Sequence, residues 1–216
     1  MMNIKGCIFD LDGVVVDTAK YHFLAWKKLG QELGFDFTEQ DNERLKGVSR
    51  MRSLDILLEI GGLSLTEEEK VAAATKKNEW YLEYIKQMKP EEILPGVLDF
   101  FKSLKEAGIK IALGSASKNA VLILNILDIK GYFDVIVDGN SVSKAKPDPE
   151  VFLQGAEKLG LTAEECVVFE DAEAGVEAAK NGGMRCVGIG EPAVLSKADV
   201  VVDGFNAFTI ENLKQL

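Results

Sequence analysis

Four stretches of the 216-residue chain carry side chains that could do chemistry together. The first is Asp10-Leu11-Asp12-Gly13, the second Ser115 with Ser117-Lys118-Asn119, the third Lys144 and Lys146-Pro147, the fourth Glu170-Asp171. Asp10, Glu170 and Asp171, with a backbone carbonyl, form an all-oxygen donor set of the kind that suits a hard, octahedral Mg²⁺. Such an ion would let an anionic carboxylate approach an anionic phosphate. Lys146 adds a second positive charge, and Ser115 with nearby N–H groups can hold phosphate oxygens. Residues two apart on an extended segment point to the same side, so Asp10 and Asp12 can face one substrate. One of them could attack phosphorus and become an aspartyl phosphate, and the other could move protons to and from a sugar oxygen. Together the four stretches suit phosphoryl transfer.

The elements that must position these groups follow from the hydrophobic pattern. Short apolar runs at 4–9, 110–114, 133–137, 166–169, 185–189 and 199–202 read as strands, and amphipathic stretches at 119–127, 149–159 and 172–181 read as helices between them. Strands alternating with helices imply βαβ units and a parallel sheet. In an open parallel sheet, ligands gather at the carboxyl ends of the strands, and all four stretches follow strand ends. From Asp17 and Thr18, a plausible N-cap pair, to Lys89 the signals are helical instead. Phe23, Trp26, Leu29 and Leu33 recur at helical spacing, and Thr66-Glu67-Glu68-Glu69 opens a helix with a capping-box pattern. Lys89-Pro90 and Pro95-Gly96 mark the return to alternation. The expected fold is α/β: a Rossmann-like parallel-sheet core formed by residues 1–17 and 90–216, with an all-α cap, residues 18–89, inserted after the first strand.

Composition removes several function classes. Lys and Arg number 25 against 35 Asp and Glu, a formal charge of −10, which argues against nucleic acid or an anionic membrane surface as the main partner. An anionic small substrate remains compatible, because local cations can dominate one cleft. His22 is the only histidine, which excludes multi-His zinc sites within one chain, and it lies in the helical segment, where a Ser-His-Asp triad would not find it. Cys7, Cys166 and Cys186 make no CxxC pair and read as reduced thiols. Asp10 and Asp12 interrupt the first apolar run, so it is no signal peptide, and no run reaches the roughly 18 apolar residues of a membrane span. The expectation is a cytoplasmic monomer. Rival motifs fail as well: an EF-hand opening at Asp10 would need glycine at Val15 and glutamate at Tyr21, no GxxxxGK occurs, and Gly188-Ile189-Gly190 is followed by Glu191-Pro192.

The four stretches in this order resemble the haloacid dehalogenase superfamily of aspartate-nucleophile phosphotransferases. The matching motifs are Asp10-Leu11-Asp12-Gly13-Val14-Val15, Ser115 at a strand end, Lys146-Pro147-Asp148-Pro149, and Glu170-Asp171-Ala172-Glu173-Ala174-Gly175. The likeness spans nearly the whole chain and implies the superfamily's core with an inserted helical cap. Within it the chain is similar to sugar-phosphate mutases, through Tyr21-His22-Phe23-Leu24-Ala25-Trp26, Leu45-Lys46-Gly47-Val48-Ser49-Arg50 and Ser115-Ala116-Ser117-Lys118-Asn119. This resemblance implies Asp10 as nucleophile and Asp12 as general acid/base, with Ser115 and Lys146 completing the catalytic set. It implies one Mg²⁺ per site, held by Asp10, the Asp12 carbonyl, Asp171 and, less directly, Glu170. Arg50, Ser117, Lys118 and Asn119 would hold the phosphate that is not reacting. Thr18, His22, Lys46 and Gly47 would serve substrate binding or cap closure, and Trp26, Val48, Ser53 and Ala116 join the substrate-binding set, although Trp26, four residues after His22, also fits a core position. Lys144 and Lys146 both could reach the cleft; the position before Pro147 favours Lys146.

The expected reaction is interconversion of β-D-glucose 1-phosphate and D-glucose 6-phosphate through β-glucose 1,6-bisphosphate and an aspartyl-phosphate enzyme. A mutase must anchor the distal phosphate while the proximal one reacts, and Arg50 with Lys118-Asn119 offers that anchor. The alternatives are a sugar-phosphate phosphatase on the same scaffold and a non-catalytic sugar-phosphate-binding protein.

Overall fold

Six short strands form one sheet: β1 (Gly6–Phe9), β2 (Lys110–Gly114), β3 (Val135–Val137), β4 (Cys166–Glu170), β5 (Arg185–Ile189) and β6 (Val200–Val202), in the order β3-β2-β1-β4-β5-β6. Every pairing is parallel. The protein is described by a computed structural model covering residues 4–216; residues 1–3 of the expected core segment lie outside the described residues. The central strands β1 and β4 are buried throughout, as a sheet covered on both faces requires.

Alternation along each strand sends side chains to two cores. Cys7, Phe9, Ile111, Leu113, Val167 and Phe169 join one, while Ile8, Ala112, Val168 and Cys186 join the other. Helices α5 (Val97–Glu106) and α6 (Ala120–Ile126) supply the first core; α7 (Glu150–Leu159) and α8 (Glu173–Asn181) supply the second. Phe9 stacks on Phe169 at 4.6 Å between neighbouring strands, and Phe100 and Phe205 pack around the pair. The third strand begins later than expected. Tyr132 and Phe133 pack against Phe101 instead of extending it, and the Asp134 carboxylate accepts the Ile111 N–H at 2.8 Å.

Between β1 and α5 lie four helices, α1 (Ala19–Glu32), α2 (Glu39–Glu43), α3 (Arg50–Gly61) and α4 (Glu67–Ile85). They have a core of their own, including Trp26, Leu29, Phe37, Leu54 and Leu57. The capping box at Thr66 is present: its hydroxyl accepts the Glu69 N–H and the Glu69 carboxylate accepts the Thr66 N–H. The two chain segments that enter and leave this helical unit are tied together. Asp17 N–H donates to the Glu92 carbonyl at 2.9 Å, Leu94 N–H donates to the Val15 carbonyl at 3.0 Å, and the Glu92 carboxylate accepts from Lys20 and Tyr21. Among the described residues no helix is long and apolar enough to cross a membrane.

Candidate active site

The sheet order places β1 beside β4, where the chain switches direction across the sheet, and crevices form at such points. Phe9 is in register with Phe169, so Asp10 and Glu170 emerge side by side. Asp10 N–H is held by the Phe169 carbonyl at 3.0 Å. Lys146, from the loop after β3, lies between them with Nζ 2.7 Å from Asp10 Oδ1 and 3.0 Å from Glu170 Oε2. Its side chain is 1% exposed, whereas Lys144 is 69% exposed and pairs with Asp148. The two lysines are therefore separated by burial: only Lys146 faces the carboxylates.

The buried Lys146 ammonium does not balance the acidic groups around it. Burial, then the Asp10 charge, pushes Asp171 up to about 7, against the pull of Lys46 and Lys146. Burial and Asp10 likewise push Asp12 up to about 6, opposed by the Thr18 hydrogen bond, Lys146 and Lys77. Burial also drives Glu170 well above the usual carboxylate range, with Lys146 opposing. For Lys146 itself, burial pulls the pKa down, but Asp10 and Glu170 together raise it. Oxygens of Asp10, Glu170 and Asp171 lie within 4.8 Å of one another. An all-carboxylate donor set with this deficit of positive charge fits a hard divalent cation.

The residue at the N-cap position of α1 does not cap its helix. Thr18 makes no side-chain bond to the helix backbone; its hydroxyl donates to Asp12 Oδ1, and Asp17 accepts the Ala19 N–H instead. The orientation of Asp12 is thereby linked to the first turn of the inserted helices.

The loop after β2 presents stacked donors. Ser117 N–H donates to Ser115 Oγ at 3.1 Å, and Asn119 N–H donates to Ser117 Oγ at 3.2 Å. Each hydroxyl accepts a backbone hydrogen, which leaves its own hydrogen for an anion. Ser115 is fully buried, and Ala116 is half-buried with its carbonyl against Gly139.

The inserted helices meet this edge directly. Asn119 Nδ2 donates to Asn78 Oδ1 on α4 at 2.9 Å. Gly47 sits with φ 70°, and a Cβ there would stand 2.6 Å from the Ala172 Cβ, so any other residue would push the helices off the core. Lys46 is exposed, paired with Glu43 at 2.7 Å, and its charge reaches Asp171. Arg50 opens α3 behind the Ser49 cap, and Val48 packs on the insert's core. Trp26 and Ser53 are 2% and 5% exposed within the insert, and the Trp26 ring centroid lies 4.4 Å from Lys77 Nζ.

Lys77, Asn78 and Tyr81 are residues the sequence reading did not single out. Lys77 is 3% exposed, in a stripe of buried positions with Ala74, Tyr81 and Ile85. A cation on an apolar helical stripe was the signal that could have found it. Its Nζ lies within hydrogen-bond distance of His22 Nδ1, at 3.0 Å, and the His22 and Tyr81 rings are 4.2 Å apart. Burial, Lys77 and Arg50 all hold His22 well below its ordinary pKa.

A pH dependence follows. Below about pH 6.5 the unfolded chain protonates His22 while the native protein resists, so acidification costs stability at this residue. Between pH 7 and 5 the wild type should lose at most about 1.4 kcal/mol per pH unit relative to His22→Gln. Asp12 and Asp171 shift the opposite way, so the difference between the two proteins, from urea unfolding at several pH values, isolates the histidine. Parallel curves would mean that His22 titrates freely in the fold.

Residues 4–183 match the family model of the haloacid dehalogenase-like hydrolases. The chain is similar to a β-phosphoglucomutase of Bacillus subtilis, 43% identical over 98% of this chain and 95% of that protein. It is 35% identical to a phosphorylated carbohydrates phosphatase of Thermotoga maritima, over 84% of this chain and 83% of that one. A crystal structure of β-phosphoglucomutase from Clostridium difficile superposes with a TM-score of 0.94 at 44% identity, covering 98% of this chain and 96% of the other.

Proposed function

The chain belongs to the haloacid dehalogenase-like hydrolase family, and from that premise we propose that it interconverts β-D-glucose 1-phosphate and D-glucose 6-phosphate through β-glucose 1,6-bisphosphate. The observation that carries this reading is the reach of the inserted helices onto the anion loop. Asn78 bonds Asn119, and Gly47 rests on Ala172. Arg50, three residues after Gly47, would then join Ser117, Lys118 and Asn119 in one enclosure around a second phosphate. The likeness to two β-phosphoglucomutases over nearly the full chain supports the same conclusion.

In this mechanism an Asp10 oxygen attacks phosphorus, and Lys146, 2.7 Å away, holds that carboxylate in place. Asp12, pushed up to about 6, is poised to hold or release a proton at neutral pH and serves the sugar oxygen. Asp10, the Asp12 carbonyl, Asp171 and, less directly, Glu170 would hold one Mg²⁺, which when bound neutralises charge between carboxylate and phosphate. Ser115 donates to the reacting phosphate. Residues 18–89, acting as a cap, exclude the water that would hydrolyse the aspartyl phosphate. Lys77, beside His22 and within the field of Asp12, joins the sugar-facing wall.

The second reading, a sugar-phosphate phosphatase, is favoured by the 35% identical phosphatase relative. One coupled assay separates them: purified protein, Mg²⁺, β-glucose 1-phosphate and a trace of bisphosphate, following glucose 6-phosphate and free phosphate in parallel. Arg50→Ala should lower kcat/KM for glucose 6-phosphate formation by roughly 10- to 150-fold, the loss of a charge-assisted contact of about 1.5–3 kcal/mol. Phosphate release from a monophosphate, whose only phosphate sits beside Asp10, should change far less. Arg50→Lys should recover part of the loss, because an ammonium lacks the planar fork. Equal losses in both activities, or free phosphate as the dominant product of the wild type, would overturn the mutase reading.

A further inference from the structure

The anion loop after β2 is secured from outside the four chemical stretches, by the turn that follows β3. Gly139 N–H donates to the Ser117 carbonyl at 3.1 Å, and Asn140 Nδ2 donates to the Lys118 carbonyl at 3.1 Å. The two loops touch backbone to backbone: a Cβ on Gly139 would fall 2.3 Å from the Ala116 carbonyl oxygen. Asn140 is itself held. Asp138, 7% exposed, accepts Asn140 Nδ2 at 3.0 Å, Asn140 N–H at 3.0 Å and Ser141 Oγ at 3.0 Å. Both partners of Nδ2 are pure acceptors, a carboxylate and a carbonyl, so the amide orientation is determined by its surroundings.

From these contacts we infer that Asn140, set by Asp138 and assisted by Gly139, is a positioning residue that orients residues 117–119 of this loop for anion binding. The inference rests on the proposed role of that loop in holding a phosphate. The physical cause is peptide planarity: in a trans peptide the N–H points opposite to the C=O of the preceding residue. Drawing the Ser117 and Lys118 carbonyls toward the β3 turn therefore aims the Lys118 and Asn119 N–H groups away from it. The Asn119 N–H then meets Ser117 Oγ, and Ser117 N–H meets Ser115 Oγ, which leaves both hydroxyl hydrogens to donate. Without the Asn140 contact the Lys118 peptide keeps only the Asn119 N–H bond to Ser117 Oγ, and the donors must be ordered further at the expense of binding.

Asn140 is exposed and touches none of the carboxylates around Lys146, so its replacement should change anion affinity and leave chemistry alone. The test measures the Kd for inorganic phosphate by calorimetry, together with KM, kcat and Tm, in Asn140→Ala, Asn140→Asp, Lys118→Ala and the Asn140→Ala/Lys118→Ala double variant. Asn140→Ala should raise Kd and KM about 3- to 10-fold, as expected for one neutral hydrogen bond, with kcat within about twofold and Tm nearly unchanged. Asn140→Asp should be worse than alanine despite its similar shape, because its carboxylate would face both the Asp138 carboxylate and the Lys118 carbonyl. In the Lys118→Ala background the alanine effect should shrink, since the two act through one loop. Unchanged Kd and KM in both Asn140 variants, a fall in kcat alone, or full additivity in the double variant would overturn the inference. A wild type that binds phosphate but makes no glucose 6-phosphate would instead reject the proposed reaction, while the Kd ratios would still report on Asn140.

Discussion

Asp10→Asn should lower phosphoryl transfer by at least about 10⁴-fold while the protein stays folded. An amide is nearly isosteric with the carboxylate but has no charge with which to attack phosphorus, and removing the proposed nucleophile would eliminate the covalent route altogether. The fold should tolerate the change. Lys146 retains Glu170 at 3.0 Å as partner, and Asp12 and Asp171 lose a neighbouring charge that pushes both of them up. Circular dichroism and a Tm within a few degrees of wild type would establish folding, and mass spectrometry would exclude deamidation back to aspartate. Near-wild-type turnover by an intact Asp10→Asn protein would falsify the proposed chemistry.

Lys146→Met should be the most destabilising single change at the site as well as an inactivating one. Lys146 is the ammonium that contacts both Asp10 and Glu170, and all three side chains are at most 6% exposed. Removing one partner of a buried ion pair leaves charge uncompensated and costs about 3–5 kcal/mol. In a domain of this size that corresponds to a fall in Tm on the order of 10 °C. The loss should depend on pH in a definite sense. Burial already holds Glu170 well above the usual carboxylate range, and losing the opposing ammonium raises it further. That cost falls on the ionised form, so the penalty is greatest near pH 8 and shrinks as pH falls toward 5. Chemical denaturation of wild type and Lys146→Met at both pH values measures this. A penalty of the same size at both would show that lost packing against Phe152, which lies 4.8 Å from Nζ, outweighs lost charge.

Much of the fold was legible because it depends on local pattern. Buried strands such as β1 and β4 need continuous apolar runs, and the turn signals on either side bound them. The capping box at Thr66 could be read because its partners are three residues apart. The candidate site was legible for a related reason. In a parallel sheet every strand end points to one edge, so Asp10, Ser115, Lys146 and Glu170 are brought together by topology alone. Thr18 shows where local rules stop: an N-cap signal was read correctly as the start of α1, yet the hydroxyl serves Asp12 because a carboxylate from the preceding turn competes for it.

By itself, then, the sequence determined the strand and helix pattern, the inserted helical segment, and which strand ends carry carboxylates, hydroxyls and a lysine. Only the tertiary structure decided that Lys146 and not Lys144 faces Asp10, that Lys77 is buried beside His22, that Asn78 meets Asn119, and that Asn140 grips the Lys118 carbonyl. Those pairings join side chains far apart in the chain. No short-range periodicity encodes them, because they exist only once the packing of whole elements has set which polar groups lose their water and must find one another.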